Sequence, residues 1–148
     1  MPGIRPSAVP ALIVVFAAAC GGSTSPDGPQ ISVGGTYLTT ATLGQSTCAT
    51  PPTIEQHNTT VTHTPGATAI TFGHAGSTYA GTLAANGSFT TSPSVATIGG
   101  TTFTVTIAGA FTITTLDAQV TVLASGAQSC EYHVRWLGPK QGPPNVLP

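Results

Sequence analysis

The chain has 148 residues with three Lys or Arg, four Asp or Glu and a formal net charge of −1 at pH 7. This length leaves room for one domain and argues against a two-domain enzyme. Charged residues make up 5% of the chain, against about 25% in an average soluble protein. A nucleic-acid partner is therefore not expected, because three cations cannot neutralise a run of phosphates. A mean hydropathy of +0.26 with so little net charge favours a folded chain.

Residues 1–19 have the composition of a secretory leader. Arg5 precedes an uncharged, apolar stretch that runs from Ala8 to Ala19. A helix of that length would span about 18 Å, well short of the roughly 30 Å hydrocarbon core of a membrane. This segment is therefore predicted to be a signal helix that is removed on export, rather than a permanent membrane span.

The leader is followed by Cys20, which three alanines precede and a glycine follows. This junction resembles the lipobox of bacterial lipoproteins, although a lipobox usually carries Leu where Ala17 stands. The resemblance implies that Cys20 is diacylated and becomes the mature N-terminus, whereas the same small residues also suit ordinary leader cleavage. Residues 20–30 are predicted to be a lipid anchor and flexible tether. The protein is therefore expected to be exported to the bacterial cell envelope and anchored to the outer membrane or cell surface.

Three cysteines in an exported chain leave one thiol unpaired unless another modification uses it. Lipidation of Cys20 would leave Cys48 and Cys130 as a single pair. A disulfide between them would close a loop of about 82 residues and stabilise the fold by roughly 4.5 kcal/mol. We expect this bridge to be largely buried, because Cys130 begins a strand whose alternate residues are apolar.

Residues 31–137 are predicted to form one all-β, antiparallel meander domain, either a small β-barrel or a β-sandwich. Apolar residues alternate with Thr in segments such as 103–107, which is the pattern of half-buried strands. Residues 138–148, rich in Pro and Gly, are predicted to be a C-terminal tail. Turn residues divide the domain into seven to nine strands, near 33–43, 53–63, 68–74, 77–85, 88–92, 101–107, 111–115, 118–123 and 129–137.

Three turns are predicted from local sequence. Asn86-Gly87 predicts a type I′ hairpin turn, and residues 108–110 predict a three-residue loop that would pair Ile107 with Phe111. A turn centred on Pro65-Gly66 would place His57 opposite His74.

Gly35-Thr36-Tyr37 lies in the first predicted strand and Arg135 lies in the last. These two short segments resemble the calycin pattern of lipocalin-like barrels. In that pattern an aromatic residue after a glycine packs near a basic residue of the closing strand, and the aromatic residue is normally Trp where Tyr37 stands. The resemblance implies a barrel with a cavity for a small ligand.

Chemistry-bearing residues are few. The sequence contains no GxSxG, HExxH, CxxC, Walker A or GxGxxG motif. If His57 and His74 are paired across a turn, Glu55 lies on the same face and the three side chains form a candidate zinc or copper site. The alternative is that they are separate surface residues, so no cofactor is expected.

Three functions remain open on this evidence. The first is a non-enzymatic interaction or structural module of an envelope lipoprotein, with a protein partner. The second is a lipocalin-like carrier of a small apolar ligand. The third is a metal-binding or enzymatic protein. An apolar cavity in the domain would favour the carrier, and a filled core with an exposed apolar patch would favour the interaction module.

Overall fold

The computed structural model describes residues 30–148, so the predicted leader, Cys20 and nearly all of the tether lie outside the described residues. The described part contains ten strands. Within it, no helix is long and apolar enough to cross a membrane. The strands are β1 (Gly35–Tyr37), β2 (Thr40–Ser46), β3 (Thr59–His63), β4 (Ala69–His74), β5 (Ser77–Leu83), β6 (Ser88–Thr91), β7 (Ser94–Ile98), β8 (Thr101–Phe111), β9 (Thr115–Gly126) and β10 (Cys130–Pro139).

All ten strands belong to one antiparallel sheet that curls into a half-barrel. The strand order is β1-β3-β4-β5-β6-β8-β9-β10-β2, and β7 pairs with β8 beyond the end of β6. Only two residues separate β1 from β2, yet these strands form opposite edges of the sheet. Their connection joins the two edges, where Leu38 N donates to Pro139 O at 2.9 Å. The predicted all-β antiparallel domain is thus confirmed, as a barrel-like sheet rather than two stacked sheets.

The alternation of apolar residues with Thr determines which face of the sheet is inside. In the register between β8 and β9, Ile107 lies opposite Val120 and Thr106 lies opposite Thr121. Ile107 and Val120 are buried, whereas the two threonines are half-buried on the other face. Period-two alternation therefore gives the half-barrel an apolar inside and a threonine-rich outside.

An aromatic cluster fills one end of the half-barrel. The ring of Phe72 lies 4.6 Å from that of Phe89, which lies 5.0 Å from that of Phe111. Tyr37, whose ring is 5.5 Å from Phe111, is fully buried, and its hydroxyl donates to Asn145 Oδ1 at 2.8 Å. We call this the closed end.

The C-terminal residues contribute to this closed end. Strand β10 continues to Pro139, beyond the predicted domain limit at residue 137. Ser32 and Val146 form a two-way backbone bridge, with hydrogen bonds of 2.9 and 3.0 Å. The segment predicted as a tail, 138–148, therefore packs on the start of the domain.

The predicted loop at residues 108–110 is wrong. Strand β8 runs through it to Phe111, and Ile107 pairs with Val120 rather than with Phe111. The reason is steric, because a Cβ atom at Gly109 would collide with the backbone of Asp117 and Ala118. Gly109 therefore permits close approach of two strands instead of a change of direction.

The type I′ turn predicted at Asn86-Gly87 is also wrong, although the hairpin itself forms. Gly87 has a φ of 83°, but Asn86 is not among the residues of positive φ, as a type I′ turn would require. Gly87 N donates to Ala84 O at 3.0 Å, so the loop is longer than two residues. Leu83 consequently pairs with Phe89, and both are buried on the inner face.

The predicted Cys48–Cys130 disulfide is confirmed, with Cα atoms 4.9 Å apart. It joins the segment after β2 to the first residue of β10, at the end of the half-barrel away from the aromatic cluster. Both cysteines are half-buried rather than largely buried.

Candidate functional site

The segment between β2 and β3 covers the free edge of β2. The side-chain amide of Gln56 donates to Ala41 O and accepts from Ala41 N, both at 2.8 Å. This pair of bonds imitates those of a neighbouring strand, so the segment stays close to the sheet although residues 51–58 are not a strand. It therefore carries Ile54, Glu55 and His57 to the opening of the half-barrel.

A pocket of about 350 Å³ lies between this segment and the inner face of the sheet. We call it the inner pocket. Its size is at the lower end of the range for small-molecule sites. Its apolar and aromatic walls are Ala41, Ile54, Ala75, Tyr79, Val105, Val120, Val122, Tyr132, Val134 and Trp136. The remaining lining residues are Thr53, Glu55, His57 and His74.

Glu55, His57 and His74, the residues of the candidate metal site, lie close together in this pocket. Glu55 Oε2 lies 3.2 Å from His57 Nε2, and the imidazole rings of His57 and His74 are 5.7 Å apart. The predicted pairing of His57 with His74 is wrong by two residues, since Thr59 is the partner of His74. Side chains alternate between the two faces of a strand, so a shift of two residues leaves each side chain on the same face. His57 and His74 therefore remain close to each other. Among residues 30–148, no group of three or more His, Cys, Asp or Glu is arranged to hold a metal ion.

His74 is held firmly by its neighbours. Its ring stacks on the indole of Trp136 with centroids 4.0 Å apart, and its Nδ1 lies 2.9 Å from Thr59 Oγ1. The side chain is buried. Burial, with a smaller effect from nearby His57, lowers the pKa of His74 to about 4. This imidazole is therefore neutral at pH 7.

The depressed pKa of His74 predicts that acid destabilises the fold. An unfolded histidine takes up a proton near pH 6.5, whereas folded His74 does so only near pH 4. His74 therefore contributes full stability above pH 6.5, and between pH 6.5 and 4 that contribution falls by about 2 to 3 kcal/mol. Urea unfolding at pH 7.5 and pH 4.5 measures this loss. His74→Gln should show a shallower decline than the native chain, and equal declines would contradict the prediction.

Three aromatic residues of the inner pocket were not identified as site residues from the sequence. Tyr79 lies on β5, and Tyr132 and Trp136 lie on β10. The rings of Tyr79 and Trp136 are 6.5 Å apart at 68°, which forms an aromatic corner. Alternation indicated that Tyr132 and Trp136 share a face, but their proximity to Tyr79 depends on the curl of the whole sheet.

A second groove, of about 560 Å³, lies on the outer face. Arg135 there makes two hydrogen bonds to the carboxylate of Asp117, at 2.7 and 3.0 Å. His133 Nε2 lies 2.9 Å from Glu131 Oε1, and its Nδ1 lies 3.1 Å from Thr121 Oγ1. Glu131 and His133 lie on β10 and Thr121 lies on β9, and both strands have a neighbouring strand on each side. His133 therefore has an acid and a hydroxyl as its neighbours, and the Asp117 carboxylate is engaged by Arg135, so we regard this groove as a polar patch.

The residues that carry the calycin resemblance do not meet as that pattern implies. Tyr37 lies in the core, whereas Arg135 lies on the outer face with its guanidinium on Asp117. The basic residue beside β1 is Lys140, which forms a backbone bridge with Tyr37. No known protein family, curated protein or solved structure matches the chain. The site is therefore interpreted from its own geometry.

Proposed function

We propose that this protein is a binding protein for one small, mainly apolar molecule, which it holds in the inner pocket. The observation that carries the proposal is the uneven filling of the half-barrel. Aromatic rings pack against one another at the closed end, whereas at the other end buried residues such as Val120 and Val122 line the inner pocket. Ligand sites in proteins are commonly apolar concavities with a few polar groups, often in the mouths of β-barrels.

The polar groups of the inner pocket are suited to orienting a ligand rather than transforming it. His74 is neutral at pH 7 and is already bonded to Thr59. Glu55 is 80% exposed and faces His57. The hydroxyl beside His74 belongs to Thr59, which is fully buried and is not among the residues that line the pocket. The thiols of Cys48 and Cys130 are joined in a disulfide. Binding therefore fits the residues better than catalysis does.

The interaction-module hypothesis has weaker support on the described surface. Large apolar side chains are exposed at Leu38, Val95, Ile98, Ile113, Leu123, Leu137 and Val146. Val95 and Leu123 lie on either side of Thr104. Leu38 lies beside the β10 segment that contains Leu137, and Ile113 lies beside the segment that contains Val146. Groups of two side chains cover much less than the several hundred Å² of a typical protein-binding patch.

The proposed location follows from the sequence of the leader. Diacylated Cys20 would attach the protein to the envelope membrane, and the tether to residue 30 would separate the domain from the lipid surface. Such a layout suits a carrier that exchanges its ligand beside a membrane.

The test uses Trp136, the single tryptophan of the chain, which lines the inner pocket. Titration with the uncharged dye N-phenylnaphthylamine should change the Trp136 emission and enhance the dye emission, with saturation at one dye per chain. Val105→Phe, which fills the pocket from β8, should abolish this signal. Leu123→Phe adds similar bulk on the outer face and is the matched control. Absence of binding, or equal binding by Val105→Phe, would overturn the proposal.

A further inference from the structure

The inner pocket is bordered by negative charge and by no fixed positive charge. Glu55 is the only Asp or Glu among its lining residues, and neither Lys nor Arg is among them. The two basic residues of the described chain lie elsewhere: Arg135 is on the outer face with Asp117, and Lys140 lies beside Gly35 of β1. Anionic ligands therefore have no cation to meet in this pocket.

The imidazoles do not reverse this balance. His74 stays neutral at pH 7 because it is buried. His57 Nε2 lies 3.2 Å from Oε2 of Glu55, so this contact involves one carboxylate oxygen of Glu55 and leaves Oε1 for a ligand. The pocket as a whole therefore offers a positive ligand one carboxylate and no opposing Lys or Arg.

The aromatic residues of the inner pocket provide a second feature that attracts cations. The face of an aromatic ring carries negative potential, and Trp and Tyr bind ammonium groups within about 6 Å of the ring centre. Trp136 and Tyr79 meet at 68°, and Tyr132 lines the same pocket. Burial, with a contribution from Tyr79, raises the pKa of Tyr132, so its phenol stays uncharged. Because His74 covers one face of Trp136, the ring surfaces left for a ligand are those of Tyr79 and Tyr132 and the rest of Trp136.

We propose that the ligand of the inner pocket is a small organic cation, a substituted ammonium whose apolar groups contact Tyr79, Tyr132 and Trp136 while its charge faces Glu55. This inference rests on the proposed function and adds the sign of the ligand charge. Methylated ammonium groups fit because they are apolar on the outside and positively charged within. They lose less hydration than a primary ammonium does on entering a pocket of valines and aromatic rings, and the ring faces offset part of that loss.

The experiment compares three probes of one shape on the disulfide-bonded chain. Choline is the cation, dimethylbutanol is its uncharged carbon isostere, and dimethylbutyrate is an anion of similar shape. Each is titrated against Trp136 emission at low ionic strength, with a chelator present so that trace metal near His57 adds no signal. We expect choline to bind about 3- to 30-fold more tightly than dimethylbutanol. Dimethylbutyrate should bind most weakly.

Variants test which residues cause the preference for choline over dimethylbutanol. Glu55→Gln should weaken choline binding about two- to fivefold, as expected for an exposed charge, and leave dimethylbutanol unchanged. Tyr132→Leu should remove most of the preference for choline over dimethylbutanol. Glu131→Gln, which neutralises a carboxylate on the outer face beside His133, is the matched control and should change neither affinity.

The outcomes separate the two proposals. If dimethylbutanol binds as tightly as choline, or if choline does not bind while N-phenylnaphthylamine does, the charge inference is wrong and the binding function stands. If Glu131→Gln weakens choline as much as Glu55→Gln does, the cation is not in the inner pocket and the inference is also wrong. If neither the dye nor any of the three probes binds, the proposed function itself fails.

Discussion

Replacement of Cys48 and Cys130 by serine is expected to lower the free energy of unfolding by about 4.5 kcal/mol. The disulfide closes a loop across a sequence separation of 82 residues. In the chain-entropy account, this long cross-link restricts the unfolded chain and leaves the folded one almost unaffected. The loss would be a large part of the roughly 5 to 15 kcal/mol of a typical domain. Urea unfolding of the oxidised chain and of the double serine variant measures the difference.

The reduced native chain is the control for this prediction, since it retains both cysteines and lacks only the bond. Its unfolding midpoint should match that of the double serine variant. Local opening should also become easier next to the missing bridge, because the bridge joins the segment after β2 to the start of β10. Hydrogen exchange should therefore rise in residues 47–58 before it rises at the closed end. A fall in stability below about 1 kcal/mol would contradict the prediction.

The fold class could be predicted because it depends on local chemistry repeated along the chain. Alternation of apolar residues with Thr in β8 and β9 identifies strands, and a strand pairs with its successor in most of this sheet. The disulfide was predictable from counting, since Cys48 and Cys130 are the two cysteines left once Cys20 is assigned to the lipid anchor. Neither inference needs knowledge of distant contacts.

Turns and register were less predictable, because one residue can serve two purposes. Gly109 looked like a turn residue, but its missing side chain allows β8 to approach β9 closely. The Pro65-Gly66 turn was located correctly: Gly66 has a φ of 78°, and Ala67 N donates to Thr64 O at 3.0 Å. The loop between β3 and β4 is two residues longer than predicted. The residue opposite His74 is therefore Thr59 instead of His57.

The inner pocket could be predicted only in part. Glu55, His57 and His74 are close to one another in sequence or across one turn, so a hairpin argument placed them together. Tyr79 and Trp136 belong to strands on different sides of the half-barrel, β5 and β10. Their contact depends on the curvature of the sheet, which results from the packing of the entire core. No local pattern encodes it.

Phe72→Ala is expected to destabilise the fold by about 3 to 5 kcal/mol, because it would leave a cavity among aromatic rings that cannot collapse around it. Phe72 is completely buried on β4. Its ring lies 4.6 Å from Phe89 and is parallel to that of Phe111 at 6.2 Å.

Urea unfolding, compared at constant m-value, measures the loss for Phe72→Ala. The control is Ile113→Ala, which removes a large apolar side chain that is 61% exposed and should change stability by less than about 0.5 kcal/mol. Phe72→Leu keeps most of the apolar volume and should lose less than Phe72→Ala. Equal losses for Phe72→Ala and Ile113→Ala would show that the closed end is not the principal core. A large loss at Phe72 alone would show that packing at the closed end supplies much of the stability of the fold, so that the fold does not depend on a fully packed inner pocket.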